Sequence, residues 1–254
     1  MGTAVVTGAA SGIGRCVRER LEGQGDRVIG IDLRDVEIEA DLSTPEGRQS
    51  AVDRALEASG GSIDRLVVAA GLGGHVRDGG LVARVNYFGA VRVLDGLRPA
   101  LEGRPGAAAV AVCSNSAQLG NPVENPIVLA LLADDEAAAV AEIGEAPGAA
   151  VYGLTKHALS RAVRRRAADW GAAGVRLNGI APGQTQTPLF EGSEKHPVLG
   201  KFVDDIPVPL GRKATPEEMA GIIVFLLSEA ASYFHGSIVW ADGGTDAVQR
   251  PDAF

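Results

Sequence analysis

Tyr152 and Lys156 stand four positions apart in Tyr152-Gly153-Leu154-Thr155-Lys156, inside a stretch with helical periodicity. Residues i and i+4 share a helix face, so a phenol and an ammonium group would project into one space. A free phenol ionises near pH 10, too high for an efficient base at neutral pH. A neighbouring cation favours the phenolate, so the pair could carry a proton to or from a substrate oxygen. The same spacing also occurs on solvent-facing helices, and only the rest of the chain gives it meaning.

Near the beginning, Thr7-Gly8-Ala9-Ala10-Ser11-Gly12-Ile13-Gly14 follows a short apolar, β-branched run. Backbone approaches a pyrophosphate closely only where side chains are absent, and a helix N-terminus supplies N–H donors and partial positive charge. Glycine also serves tight turns for geometry alone. Asp32, however, lies 18 residues beyond Gly14 at the end of the second apolar run. There its carboxylate could accept hydrogen bonds from ribose hydroxyls and repel a 2′-phosphate. Ser11 offers no compensating positive charge, and Arg34 is the cation close by in sequence. The combination predicts a dinucleotide site with NAD preferred over NADP.

These groups need elements to position them. Thr3 to Val6, Arg27 to Ile31, Leu66 to Ala70, Ala107 to Cys113, Val175 to Ile180 and Ser237 to Trp240 read as strands, with Val36 to Ala40 a short additional one. Helical patterns run from Gly12 to Glu22, Pro45 to Ser59, Leu81 to Leu101, Val151 to Trp170 and Pro216 to Ser228. Strands alternating with helices imply right-handed crossovers, a mostly parallel sheet covered on both faces, and one domain over residues 1–254.

Composition excludes several classes of function. An apolar share of 46% supports a real core, and with aromatics at only 4% that core must be filled by Ala, Val, Leu and Ile. A net charge of −8, with no basic cluster beyond Arg161 to Arg166, argues against a nucleic-acid surface. No apolar run approaches the roughly 18–20 residues of a membrane span. Strand-like residues begin almost at Met1, leaving no room for a signal sequence, and Cys16 and Cys113 read as buried thiols of a reducing compartment. A cytoplasmic protein is expected. The histidines at 75, 157, 196 and 235 lack ligand spacing, so no metal is expected. His157 is expected on the surface, and His75 in the loop after the fourth strand, with an approach to the pocket the less favoured reading.

Taken with Ser114 in Cys113-Ser114-Asn115-Ser116 and Asn86 in Val85-Asn86-Tyr87-Phe88-Gly89, the glycine turn and the Tyr/Lys pair resemble the short-chain dehydrogenase/reductase family. Matching motifs run from Thr7 to Gly244. The resemblance implies an α/β fold, a single Rossmann-like doubly wound domain whose seven-stranded parallel sheet has the order 3-2-1-4-5-6-7. It implies Tyr152 as general acid/base and Lys156 as the residue that holds the nicotinamide ribose and lowers the tyrosine pKa. Ser114 would polarise the substrate oxygen, with Ser116 the less favoured serine, and Asn86 would kink its helix and anchor a relay water. For the cofactor it implies Gly8, Ser11, Gly12, Ile13 and Gly14 at the pyrophosphate, with Asp32 and Leu33 at the adenosine ribose. Asp41-Leu42 would meet the adenine, Ala70-Gly71 would allow close approach, and Thr185 and Thr187 belong to the loop that holds the carboxamide. Asp242-Gly243-Gly244 resembles a structural turn.

Two departures from the family pattern matter. Val68-Ala69-Ala70-Gly71 stands where the family usually has Asn-Asn-Ala-Gly, so a stabilising asparagine contact is lost. Ser114 and Tyr152 lie 38 positions apart, far beyond the family's usual interval, which implies a helical insertion at about 119–148. In most relatives the neighbouring helix builds a subunit interface. A homodimer or homotetramer is therefore expected, with the insertion favouring the dimer. The insertion, Gly30 to Asp35 and the Arg250-Pro251 tail resemble the bacterial 3α-hydroxysteroid dehydrogenase/carbonyl reductases, and coniferyl alcohol and cyclic monoterpenol dehydrogenases look similar. Leu189, Phe190, Val198, Leu199 and Phe202 could form an apolar lid, interrupted by Glu191, Glu194, Lys195 and His196. Such a lid suits a small apolar alcohol or ketone. The rival from another class is a non-catalytic dinucleotide sensor on the same fold. Such proteins typically lack the tyrosine or the lysine, whereas this chain keeps both.

Overall fold

Both faces of the central strands are buried, which is why their sequences read as unbroken apolar runs. The computed structural model describes residues 2–119 and 122–252. Strands β1 (Thr3–Thr7), β2 (Arg27–Asp32), β3 (Ile38–Glu39), β4 (Arg65–Val68), β5 (Ala108–Val112), β6 (Arg176–Pro182) and β7 (Ile238–Ala241) form one sheet in the order β3-β2-β1-β4-β5-β6-β7. Every pairing is parallel. The expected strand order and doubly wound architecture are therefore met.

Strand alternation sends Val5, Leu66, Val68, Ala109 and Ala111 to one side of the sheet. There they pack on α2 (Pro45–Ser59), α4 (Ala90–Leu101) and α7 (Gly148–Arg165), with α3 (Gly79–Ala83) leading into α4. Ala4, Val6, Val67, Ala108 and Val110 face the other way, onto α1 (Gly12–Gly23) and α11 (Pro216–Leu227). The chain order reverses between β1 and β4, and the crevice at that switch point opens beyond the carboxyl ends of the strands.

Local chemistry sets the helix ends. Thr44 caps α2 by accepting from the Gly47 N–H at 3.0 Å, Pro45 takes the first helical position, and Gly60 ends it at φ 65°. Thr215 and Glu218 close a reciprocal capping box on α11. Between α3 and α4, Arg84–Gly89 winds as a π-helical turn carrying Asn86.

Several boundaries differ from the sequence expectations, most by a residue or two. Strand β4 stops at Val68 because the N–H groups of Ala69 and Ala70 turn aside to the Thr7 hydroxyl, at 3.0 and 3.1 Å. Strand β3 keeps only two residues. The stretch expected as one helix to Trp170 divides at Arg166 into α7 and α8 (Ala167–Ala172).

Before α7 lie α5 (Pro126–Leu132), capped by Asn125, and α6 (Glu136–Ile143), capped by Asp135. Val128, Leu131, Ala139 and Ile143 bury themselves in the larger core, so this segment is an integral layer against α3 and α7. Among the described residues no helix is long and apolar enough to cross a membrane.

Candidate active site

The turn between β1 and α1 has no room for side chains where backbone must come close. A Cβ on Gly14 would sit 2.2 Å from the Gly8 carbonyl oxygen, and one on Gly8 would sit 2.8 Å from the Ala70 nitrogen. Gly8 also adopts φ 70°, a left-handed conformation that glycine tolerates. Ser11 precedes α1 without a side-chain cap, which leaves the helix N-terminus open toward the crevice. The cradle that glycine makes here fits a diphosphate.

Asp32 ends β2 beside this turn. Its Oδ2 accepts from the Ala10 N–H at 3.0 Å and its Oδ1 from the Leu33 N–H at 2.7 Å, so the carboxylate is held at the crevice rim. Arg34 points into solvent beside Asp35. Leu33, Asp41 and Leu42 line the same end of the crevice. At the other end, Thr187 accepts from the Phe190 N–H at 3.2 Å and caps α9 (Pro188–Glu194), while Thr185 donates to the Gly183 carbonyl at 3.0 Å. Gln184 of the same loop donates to the Val203 carbonyl at 2.8 Å and ties the loop to α10 (Leu199–Asp204).

Ser114, Tyr152 and Lys156 converge on the crevice from the end of β5 and from α7. The Ser114 Oγ accepts from both the N–H and the hydroxyl of Ser116, at 3.2 and 2.9 Å, so the two serines form one unit. Lys156 is 4% exposed and donates to the Val112 carbonyl at 2.8 Å, with its Nζ 5.9 Å from the Tyr152 ring centroid. Burial pushes this ammonium down to about 8, with a small opposing influence from Cys113. Burial likewise raises the Tyr152 phenol above its ordinary value, and a hydrogen bond with Ser114 pulls it partway back. In the protein alone burial is the largest influence on this phenol, and the direction of its shift is set by desolvation rather than by Lys156.

Asn86 is fully buried in the π-helical turn. Its Oδ1 accepts from the Leu72 N–H at 2.7 Å and its Nδ2 donates to the Leu72 carbonyl at 2.9 Å. Both ends of the amide brace the loop after β4. Thr7, quoted in the motif but given no role from sequence, anchors Ala69 and Ala70 of the same loop. Ala70 and Gly71 of this loop line the crevice.

The crevice encloses about 700 Å³ and is mainly apolar beyond the reacting groups. Leu189, Phe190, Leu199 and Phe202 line it, but Val198 is 70% exposed and turns away. Glu191, Glu194, Lys195 and His196 are absent from the lining and belong to the outer side of α9 and its following turn. His75 packs against Gly73 and Gly192 instead of lining the crevice.

His157 corrects the expectation of a surface residue: it is 6% exposed, with Nδ1 2.7 Å from the Ala117 carbonyl. The helix face opposite solvent continues past Lys156, so the next residue meets the turn that follows Ser114. Its Nε2 has no partner among the described residues. Burial holds the imidazole below its ordinary 6.5. The unfolded chain therefore binds this proton more readily, and the stability contribution is full above pH 6.5 and shrinks as pH falls below it. His157→Gln keeps a donor for Ala117 without titrating. Melting scans between about pH 7.5 and pH 5 should show a smaller acid loss in this variant, whereas equal losses would remove His157 from the acid response.

Residues 2–126 match the short chain dehydrogenase family, and residues 137–246 match a family described as enoyl-(acyl carrier protein) reductase. The interval between the two matches falls within the α5–α6 segment. The 3-alpha-hydroxysteroid dehydrogenase/carbonyl reductase of Comamonas testosteroni is 47% identical over 258 residues, covering 100% of both chains. The cis-4-hydroxycyclohexanecarboxylate dehydrogenase of Sinomonas cyclohexanicum is 31% identical, covering 96% of each chain. The solved structure of the 3-alpha-hydroxysteroid dehydrogenase from Pseudomonas sp. B-0831, complexed with NADH, matches with a TM-score of 0.97 at 43% identity, over 99% of this chain and 100% of that one. With these relatives matched along their full length and the reactive residues gathered in one crevice, this chain belongs to the short-chain dehydrogenase/reductase family.

Proposed function

We propose that this enzyme is an NAD-dependent oxidoreductase that interconverts a secondary alcohol and a ketone on an apolar substrate, acting as a 3α-hydroxysteroid dehydrogenase/carbonyl reductase. The carrying observation is one continuous crevice with the glycine cradle and Asp32 at one end and Ser114, Tyr152 and Lys156 at the other. The full-length likeness to the Comamonas enzyme and to the NADH-complexed Pseudomonas structure supports this reading.

Gly8, Gly12 and Gly14 would admit the diphosphate, Ser11 and Ile13 the start of α1 against it, and Asp32 and Leu33 the adenosine ribose. Asp41-Leu42 would meet the adenine, Ala70 and Gly71 would allow close approach, and Thr185 and Thr187 would hold the carboxamide. Bound NAD supplies the hydride acceptor. In oxidation the Tyr152 Oη takes the hydroxyl proton, and in reduction it returns one to the carbonyl oxygen. Ser114, itself held by Ser116, stabilises charge on that oxygen. Lys156 supplies positive charge beside the ribose and the phenol, and Asn86 keeps the loop after β4 in place.

The apolar lining by Leu189, Phe190, Leu199 and Phe202 suits a rigid hydrocarbon frame. Two buried free thiols, Cys16 and Cys113, fit a reducing, cytoplasmic setting. Helix α5, backed by α6, covers part of α7, which favours a homodimer over a homotetramer built through that helix.

An absorbance assay at about 340 nm, the NADH band, tests the reading with a 3α-hydroxysteroid, coniferyl alcohol and a cyclic terpenol. NADH should form fastest with the steroid. Faster turnover of either other alcohol would transfer the assignment to an aryl or monoterpenol dehydrogenase, and no reduction with any of them would sink it.

A further inference from the structure

Arg48 lies in the first turn of α2 and is 3% exposed. Its Nε donates to the Leu42 carbonyl at 2.8 Å, and its Nη2 donates to the Ser43 carbonyl at 3.0 Å and more weakly to the Arg84 carbonyl at 3.4 Å. The guanidinium also packs over the Phe88 ring, 5.7 Å from its centroid. A buried cation requires a counter-charge, because an unpaired buried ion is costly. Glu136 supplies it in a two-point arrangement, with Oε2 2.6 Å from Nη1 and Oε1 3.1 Å from Nη2. Arg84 stands 3.6 Å from the same carboxylate.

Glu136 is the first residue of α6, 88 positions from Arg48 and inside the segment that lengthens the chain between Ser114 and Tyr152. Leu42 and Ser43 line the crevice after the edge strand β3, whereas Ser114 follows β5, with β2, β1 and β4 between the two in the sheet. We infer that Glu136 is a positioning residue for the adenine end of the dinucleotide: through Arg48 it holds the backbone carbonyls of Leu42 and Ser43. The inserted helices thereby govern cofactor affinity rather than turnover. This rests on the NAD reading above. Without Glu136 the guanidinium is drawn toward water and its carbonyl bonds loosen. Dinucleotide binding must then order the 41–43 loop, a cost that the intact enzyme has already met in folding.

The test uses the full-length enzyme and its Glu136→Gln and Glu136→Asp variants. NADH is titrated by fluorescence, AMP by competition, and kcat is measured at saturating NAD. Glu136→Gln should weaken NADH and AMP alike by about tenfold, the effect of about 1.4 kcal/mol, while kcat stays within about twofold. Glu136→Asp keeps the charge with a shorter reach and should lose only about threefold in AMP affinity. Unchanged affinity for NADH and AMP in Glu136→Gln overturns the inference, as does a fall in kcat that matches the fall in affinity. If Glu136→Gln does not fold, Glu136→Asp decides: unchanged AMP affinity overturns the inference. Failure of the unaltered enzyme to bind NADH or AMP strikes the NAD reading itself, independently of either variant.

Discussion

Replacing Tyr152 by Phe should lower turnover by about 10³-fold, the range expected for loss of a positioned proton carrier, while NADH affinity stays nearly unchanged. Phenylalanine keeps the ring that stands over the crevice, and Lys156 keeps its bond to the Val112 carbonyl. Only the Oη is removed, and with it the group proposed to exchange a proton with the substrate oxygen. Steady-state kinetics with the preferred alcohol, paired with a fluorescence titration of NADH, separates the two effects. Turnover close to the parent enzyme would exclude Tyr152 as the proton carrier. Parallel loss of turnover and NADH binding would assign the residue to structure instead. The pH response has a defined sign as well. Oxidation needs the phenolate and should gain as pH rises toward the raised pKa of the phenol, whereas reduction needs the neutral phenol and should lose.

The second large effect is expected at Asp32. Two unit charges about 4 Å apart interact by about 4 kcal/mol at an effective dielectric of about 20. The Asp32 carboxylate sits at a half-open rim, so about half of that is a reasonable repulsion against a 2′-phosphate. Asp32→Asn removes the charge but keeps an acceptor for the Ala10 N–H, so the glycine turn stays closed. The variant should gain activity with NADP and lose it with NAD, because a neutral amide accepts more weakly from the ribose hydroxyls. The ratio of kcat/KM for the two cofactors should shift by about 10²-fold in favour of NADP. Arg34, already free in solvent beside Asp35, is available to approach the added phosphate. An unmoved ratio would mean that Asp32 does not select the cofactor.

Part of this site was legible because its signals are local. Gly8, Gly12 and Gly14 are spaced to suit one turn, Thr44 and Pro45 start one helix, and Tyr152 and Lys156 share one helix face; each pattern depends on residues a few positions apart. Alternating strands and helices pointed to a mostly parallel sheet covered on both faces, and the strand order itself followed from the family resemblance. The lid was partly legible: apolar residues clustered after Gly183, but whether Val198 turned in or out depended on the winding of α10 and the turn before it.

The residues that sequence reasoning passed over act across long separations. Thr7 reaches Ala69 and Ala70 because β1 and β4 are neighbours in the sheet. His157 reads as a polar residue beside a lysine, and only the packing of α7 against the turn after Ser114 buries it. Arg48 is one of many arginines until α6 brings Glu136 to it.

From its sequence alone this protein is legible as a dinucleotide-dependent dehydrogenase fold with a Tyr/Lys proton carrier, because turn geometry, helix period and strand burial are written in short-range spacing. Tertiary structure alone decided the direction in which each member of that pair is shifted and the bracing of its loops. Desolvation raises Tyr152 against the pull of Ser114 and lowers Lys156 against that of Cys113, and burial depth belongs to the packed chain rather than to any stretch of it.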